Sequence, residues 1–243
     1  MIDLHCHLLP GIDDGPATLD QALELARLAL ANGIRHAVVT PHIHPNRYPN
    51  QADNLKPALA AFKLELASRD IPLALGLGGE VRLGMESLDL VHRGEVPMLG
   101  REQGYDIMLL EFPHSHILPG SDKLVSHLLD RKIRPMIAHP ERNKDVMRSL
   151  DRILPFLEAG CLLQVTAGSV TGNFGKLARQ RALEMLERGW VTVLASDAHN
   201  SRYRPPELEP GRAAAAVVIG ESAADDLVRG RPASILGLTP TGN

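Results

Sequence analysis

Apolar positions along the chain change repeatedly between two spacings, one typical of a strand and the other of a helix. The run 36–42 has an uninterrupted apolar centre, Ala37-Val38-Val39, as in a buried strand, whereas apolar residues between Leu19 and Leu30 recur every three or four positions. The predicted strands span 1–7, 36–42, 71–83, 106–111, 134–139, 161–166 and 191–197. The predicted helices span 19–33, 55–66, 121–131, 145–159, 175–188 and most of the chain after 207.

Local signals mark several helix ends. Thr18 and Gln21 have the spacing of a capping box, and Gly33 is a natural stop for the helix that follows them. Ser121 is a candidate N-cap, and Pro155 should kink or split the helical region that contains it. The stretch 84–105 has no clear period, and we expect a short helix and a turn there.

About seven strand–helix alternations predict a parallel sheet, either closed into a barrel or open and doubly wound. Polar residues of the kind that bind metals stand at the C-terminal end of nearly every predicted strand, where the active face of a barrel lies. An open sheet would spread these ends along a line, so the pattern favours the barrel. The length also suits two small domains, but no linker or shift in composition divides the chain, and we expect one domain over 1–243.

Composition narrows the classes of function. A net charge of −3 with no run of one sign argues against a general binder of nucleic acid or anionic membranes. Only 3% of residues are aromatic, so the core must be aliphatic. The two cysteines form no disulfide framework, and neither begins a C-x5-R phosphatase loop. The sequence shows no signal peptide and no 18-residue apolar stretch, so we expect a cytoplasmic protein without a membrane span.

The candidate chemistry begins with His5 and His7, which share one face of the first strand because they are two residues apart. Taken alone, this pair is as compatible with ordinary histidines as with a metal site. Similar residues recur at later strand ends, and burying so many of them together would be costly without cations. The candidate ligands are four carboxylates and five imidazoles: Asp14, Glu80, Glu111, Asp197, His5, His7, His42, His139 and His199.

Nine donors exceed the needs of one ion and suit two or three divalent ions. The mixture of nitrogen and oxygen favours Mn²⁺, Fe²⁺ or Zn²⁺ over Mg²⁺ or Ca²⁺. With bridging carboxylates, the nine positions therefore suit a cluster of ions rather than a single ion.

The order of the motifs resembles the polymerase and histidinol phosphatase (PHP) superfamily. It is similar in particular to the bacterial protein-tyrosine phosphatases encoded with capsule and exopolysaccharide machinery. The motifs that carry the resemblance span residues 2–206 and are IDLHCHLLPGIDDGP, TPH, GGE, LLEF, AHPER, SDAHN and RPP. DLHCH alone is typical of the whole superfamily, whereas DDGP with AHPERN and SDAHN is specific to this branch.

The resemblance implies a distorted (β/α)7, TIM-like barrel and a manganese-dependent phosphatase acting on a bacterial tyrosine autokinase. It also implies three ions. His5, His7, Glu80 and Asp197 would bind the first ion. Glu80 would bridge to a second, also bound by Glu111 and His139, and Asp14, His42 and His199 would bind the third.

The resemblance further implies that Arg142 and Arg204 bind the phosphate, for which a guanidinium offers a planar, bidentate clamp. The alternative for Arg142 is a surface ion pair with Glu141, and Arg202 is a second candidate in the loop of Arg204. Asp14 and His42 are candidate general acids for the leaving group. His114 and His116 could line the substrate mouth.

Two other functions fit the same residues. The site could serve a small-molecule phosphatase, such as a histidinol-phosphate phosphatase, or a phosphoesterase acting on nucleic acid, although the near-neutral charge argues against the latter. A metal-stabilised docking module without activity would show gaps in the ligand set, and all nine positions are filled. The sequence does not fix the oligomeric state.

Overall fold

A computed structural model describes residues 1–238 of the chain. Ten strands are β1 Ile2–Cys6, β2 His36–Val39, β3 His42–Ile43, β4 Ala74–Leu77, β5 Glu80–Arg82, β6 Gly100–Glu102, β7 Tyr105–Glu111, β8 Ile133–Ala138, β9 Leu162–Thr166 and β10 Val193–Ala195. Eleven α-helices are α1 Leu19–Ala31, α2 Ala52–Ala67, α3 Met85–His92, α4 Ser121–Asp130, α5 Lys144–Arg148, α6 Leu154–Glu158, α7 Ala167–Thr171, α8 Lys176–Glu187, α9 Glu209–Ile219, α10 Glu221–Val228 and α11 Gly230–Leu236. Within this range no helix is both long and apolar enough to cross a membrane.

The parallel strands form two hydrogen-bonded series, in the orders β1-β2-β4 and β3-β5-β7-β8-β9-β10. β3 continues the path of β2, and β5 that of β4, so the two series make seven barrel staves. The first and last staves meet where the N–H of Asp197 donates to His5 O at 2.8 Å and Cys6 pairs with Ala198. The buried Asp3 carboxylate reinforces this seam by accepting from the N–H of Ser196 at 3.0 Å. The predicted seven-stranded barrel is therefore confirmed.

Two predicted strands, 36–42 and 71–83, are each broken in the structure. Pro41 cannot donate to a sheet ladder, and at Gly79 a side chain would collide with Ile43. The staves stay connected across the breaks, since Gly78 N donates to Val39 O at 2.9 Å and Glu80 N donates to Pro41 O at 3.1 Å. Each break redirects the chain immediately before a candidate ligand, which is where the barrel is distorted.

A small aliphatic cluster fills the barrel. Ile107 and Leu109 of β7 point inward, and the same alternation brings Glu111 to the C-terminal mouth. At the opposite end, Ile235 of α11 joins this cluster, and the helix is fixed there because Arg231 donates to both carboxylate oxygens of Glu102 at 3.0 and 3.1 Å. The larger aliphatic cluster lies between the strands and the outer helices.

Several local predictions are confirmed and others corrected. Thr18 accepts from the N–H of Gln21, and the predicted helix 145–159 is split into α5, a 3₁₀ turn and α6, with Pro155 in the first turn of α6. Ser121 is not the N-cap of α4: Gly120 occupies that position, and Ser121 Oγ donates to Leu118 O at 2.6 Å. The stretch 84–105 holds α3 as expected and also β6, which pairs with β7 in an antiparallel hairpin.

Candidate metal centre

The nine candidate ligands converge at the C-terminal mouth of the barrel. Every one of them belongs to at least one group of three or four residues whose donor atoms lie within 4.8 Å of one another. Seven are buried, His42 is half-buried, and Asp14 is the most exposed. The strand ends that the sequence analysis identified therefore meet at one place.

Glu80 lies at the centre of this cluster. Its Oε2 atom is 2.9 Å from His42 Nδ1, 3.3 Å from His7 Nε2 and 3.4 Å from His5 Nε2. Its other oxygen, Oε1, is 2.8 Å from His139 Nε2. The Nε2 atoms of His5 and His7 are 3.2 Å apart, so the two rings face the same point as their spacing predicted.

A second group lies nearer the solvent. Asp14 Oδ1 is 3.2 Å from His42 Nε2 and 3.4 Å from His199 Nε2, and His7 completes the group. The deeper donors form overlapping groups, in which Glu111 lies with His42 and Glu80, and His139 with His5 and Asp197. The division of these donors among individual ions stays a prediction.

Two of the candidate ligands have an unusual backbone conformation. His139 has φ of 34° and Asp197 has φ of 52°, both in the left-handed region. Such a conformation costs roughly 1–2 kcal/mol for a residue with a side chain, so packing elsewhere must hold it in place. His139 directly follows the end of β8, and Asp197 lies two residues after the end of β10, at the turn from sheet to loop.

Two residues that the sequence analysis did not assign orient the imidazoles. The His7 Nδ1–H donates to Asp13 Oδ2 at 2.7 Å, and the His5 Nδ1–H donates to Gln164 Oε1 at 2.8 Å. Each bond leaves the Nε2 atom of its ring directed at the cluster, as in metal sites with an ordered outer shell. Asp13 could have been found beside Asp14 in DDGP, and Gln164 as the lone amide in an apolar strand.

The residues fit divalent metal ions. Among the described residues, Glu80 Oε2, Asp197 Oδ1 and His199 Nε2 are buried without a hydrogen-bond partner. Unpartnered buried oxygen and nitrogen atoms are costly, and these belong to the donor types that Mn²⁺, Fe²⁺ and Zn²⁺ bind. Although burial opposes ionisation, neighbouring histidines hold the pKa of Glu80 well below its usual range, and His5 with Arg142 does the same for Asp197.

The five imidazoles separate into two kinds. Burial lowers the pKa of His5, but the charges of Glu80 and Asp197 outweigh it and raise that pKa. Burial lowers the pKa of His7 and His42, but Asp13 outweighs it and raises the pKa of His7 to about 9, and Glu80 raises that of His42 to about 11. Burial and the charge of Arg142 lower the pKa of His139 to about 3, while burial and His7 lower that of His199 to about 4. Neighbouring carboxylates thus favour the charged form of His42, whereas burial and Arg142 favour the neutral form of His139.

Arg142 and Arg204 meet on the far side of Asp197. Both guanidinium groups donate to Asp197 Oδ2, whereas Oδ1 lies 3.2 Å from His5 Nε2. The alternative surface pair of Arg142 with Glu141 is wrong, because Glu141 is fully buried and accepts from Ser169 Oγ at 2.6 Å and from the N–H of Thr166 at 3.1 Å.

These side chains border a cavity of about 310 Å³, at the small end of the range for ligand pockets. It is lined by Asp14, His42, His44, Arg47, Tyr48, Glu80, Arg82, Glu111, His114, His139, Arg142 and Arg204. Arg202 and His116 are not among them. Burial, together with Arg142 and Arg82, lowers the pKa of His114, so the wall of the cavity is strongly cationic beyond the ligands.

Together, the barrel and the ring of donors at its mouth define a metal-binding protein of the PHP fold class. The chain belongs to the CpsB/CapC family of capsular polysaccharide synthesis, whose model matches residues 1–237.

Known relatives agree with this assignment. The tyrosine-protein phosphatase YwqE of Bacillus subtilis is 35% identical over 205 residues, which cover 84% of this chain and 79% of the relative. A chain from the crystal structures of YwqE and of CpsB from Streptococcus pneumoniae, described as unique metal-dependent tyrosine phosphatases, superposes with a TM-score of 0.91 at 30% identity, covering 98% of this chain and 96% of that one. A mutant organophosphorus hydrolase, with a TM-score of 0.60, 16% identity and coverage of 97% and 92%, shares the fold.

Proposed function

We propose that the chain is a metal-dependent protein-tyrosine phosphatase that acts in the cytoplasm on the phosphotyrosine-bearing segment of a bacterial tyrosine autokinase. In this way it would regulate capsular or exopolysaccharide synthesis. The observation that carries the proposal is the position of Asp197, which joins a cluster of metal-type donors through one oxygen to two arginines through the other. Family membership and the names of the relatives support the same activity.

The nine donors would hold two to three ions, with Mn²⁺ as the first choice and Fe²⁺ or Zn²⁺ as alternatives. His7, Asp14, His42 and His199 form the group for an outer ion, and the remaining donors surround Glu80 and Asp197. Ions bound there would lower the pKa of water and neutralise phosphate oxygens.

The protein's own cations serve the phosphate. Arg142 and Arg204 both line the cavity and lie side by side against Asp197 Oδ2, so their remaining N–H groups can bind two oxygens of a phosphomonoester. Arg142 is further held by stacking over Phe174, with its Cζ 4.4 Å from the ring centroid. A fixed guanidinium pair would orient the phosphorus for in-line attack.

The leaving group faces the outer part of the cavity, where Asp14 and His42 lie 3.2 Å apart. Both remain candidates to donate a proton. A phenolate leaves more readily than an alkoxide because tyrosine has a pKa near 10, so phosphotyrosine needs less acid assistance than phosphoserine. The site thus favours aryl over alkyl phosphomonoesters.

The test is hydrolysis by purified protein loaded with Mn²⁺, with phosphotyrosine peptide, phosphoserine peptide and histidinol phosphate as parallel substrates. We expect the phosphotyrosine peptide to have the highest kcat/KM, and His5→Ala or Asp197→Ala to abolish turnover. Arg188→Ala, an exposed position outside the cavity, is the matched control. Preference for histidinol phosphate, or fully metal-loaded protein that is inactive on phosphotyrosine, would contradict the proposal.

A further inference from the structure

The wall of the cavity carries more positive charge than one phosphate requires. Its three carboxylates and two of its four histidines are candidate metal ligands. The rest of its wall consists of four arginines, two further histidines and one tyrosine. Arg142 and Arg204 account for the phosphate in the proposed function. The other two arginines, Arg47 and Arg82, line the same cavity together with His44 and Tyr48.

Arg47 is distinct among the four arginines. Arg142 and Arg204 pair with Asp197, and Arg82 Nη1 is 2.8 Å from Glu111 Oε2. Within residues 1–238, Arg47 forms no ion pair with a carboxylate, and its side chain is exposed at the mouth. A cation in this position is available to a ligand without first breaking an internal pair.

The turn that carries Arg47 is held against the site. Its Cζ lies 4.9 Å from the centroid of the Tyr48 ring, and that ring stacks on His42 with a centroid separation of 5.5 Å and an interplanar angle of 11°. Two backbone hydrogen bonds between His44 and Tyr48 close the turn. The buried Asn50 side chain anchors the end of the turn by donating to His42 O at 2.9 Å.

We propose that Arg47 is a specificity-determining residue that binds a second anionic group next to the phosphotyrosine of a peptide substrate. This inference rests on the proposed function. The ligand is a carboxylate side chain or a second phosphotyrosine, because both offer oxygens that a guanidinium binds in a bidentate manner. Arg142 and Arg204 would bind the reacting phosphate, and Arg47 would select the residue that flanks the phosphotyrosine.

The experiment compares three peptides that share one sequence around a phosphotyrosine and differ only in the neighbouring residue: glutamine, glutamate or a second phosphotyrosine. We expect the wild-type protein to show kcat/KM about fivefold or more higher for the two anionic peptides than for the glutamine peptide, through a lower KM. In Arg47→Gln this ratio should fall below twofold, and Arg47→Lys should retain part of it. If kcat/KM rises only for the peptide with a second phosphotyrosine, the ligand is a phosphate. If kcat/KM rises equally for the glutamate peptide, either a carboxylate or a phosphate serves as the ligand.

Arg188→Gln is the matched control, because Arg188 is also an exposed arginine whose guanidinium lies over an aromatic ring, 4.8 Å from the centroid of Trp190. This variant should keep the wild-type ratio. Equal wild-type rates on all three peptides, or an unchanged ratio in Arg47→Gln, would overturn the inference while leaving phosphotyrosine hydrolysis intact. Failure to hydrolyse the glutamine peptide would instead overturn the proposed function, and this inference with it.

Discussion

The Oδ2 atom of Asp13 accepts a hydrogen bond from His7 Nδ1 at 2.7 Å and a second from the backbone N–H of His42 at 3.0 Å. One carboxylate therefore sets the orientation of one candidate ligand and the backbone position of another. Although burial opposes it, the charge of His7 lowers the pKa of Asp13 to about 2, so the carboxylate stays ionised throughout the physiological range.

Asp13→Asn should weaken Mn²⁺ binding about 10- to 100-fold, because His7 loses the partner that fixes its tautomer and ring angle. Isothermal titration calorimetry of metal-depleted protein measures the change directly. Asp20→Asn removes the same charge from the first turn of α1 and serves as the control. An affinity within twofold of wild type for Asp13→Asn would show that Asp13 does not orient His7.

The two phosphate-binding candidates should respond differently to truncation. Arg204→Ala should raise the inhibition constant of inorganic phosphate about tenfold or more, since a hydrogen bond to a charged group contributes about 1.5–3 kcal/mol, and should change the Tm little because the side chain is a quarter exposed. Arg142→Ala should do the same and also lower the Tm, because Arg142 is buried between Asp197 and Phe174. Equal Tm values for the two variants would contradict this distinction.

The thiols should be inert in the folded protein. Cys6 and Cys161 are both buried, and burial raises the pKa of Cys161 to about 12 from an ordinary value of 9.0. We expect iodoacetamide at pH 8 to label neither cysteine without denaturant, as read by intact mass, and activity to be unaffected. Rapid labelling of native protein would show that the core around these thiols opens.

The raised pKa of Cys161 makes the free energy of unfolding depend on pH. The folded state holds the proton of Cys161 more tightly than the unfolded state, so the stabilisation is complete below pH 9 and is lost as the pH rises from 9 to 12. Cys161→Ala should therefore flatten the alkaline fall in the free energy of unfolding, measured by urea denaturation at pH 8 and pH 10.5. If the free energy of unfolding falls equally steeply in the variant, the alkaline destabilisation is caused by groups other than Cys161.

The turn between β6 and β7 offers a gain in stability. Gln103 and Gly104 are its two central residues and have φ of 51° and 82°, as in a type I′ hairpin, for which Asn-Gly is the preferred pair. Gln103→Asn should stabilise the fold by a few tenths to about 1 kcal/mol, or about 1–3 °C in Tm. Gln103→Thr should lower the Tm, because a β-branched side chain is disfavoured at this positive φ. A higher Tm for Gln103→Thr than for Gln103→Asn would exclude this turn type.

The sequence predicted those features that repeat once per strand. Hydrophobic runs predicted the positions of the strands, and the polar residue after each run predicted the candidate site, because parallel strands bring their C-terminal ends together. The breaks before His42 and Glu80 were missed for different reasons. Pro41 was a local signal within the predicted strand, whereas the close approach of Gly79 to Ile43 is a contact that no local period encodes.

The outer parts of the site were harder to find for a similar reason. Gln164 is 159 residues from His5 in sequence, and nothing in LLQVT indicates which imidazole its side chain accepts from. The Arg47 loop carries no periodic signal, and its position depends on the stacking of Tyr48 on His42. Glu141 looked like a surface partner from its neighbour in sequence, whereas tertiary packing directs it to Ser169.

The plug that Ile235 forms at the closed end of the barrel has a kinetic consequence. Side chains such as Leu4 and Met136 fill the interior of the described barrel, and α11 covers its far end. Small molecules therefore reach the candidate site only from the mouth. Substrate must then enter, and released phosphate must leave, through the same opening, which Arg142 and Arg204 line. Because Arg142 and Arg204, the candidate phosphate-binding residues, line that opening, inorganic phosphate should compete with the substrate for them and slow turnover as it accumulates.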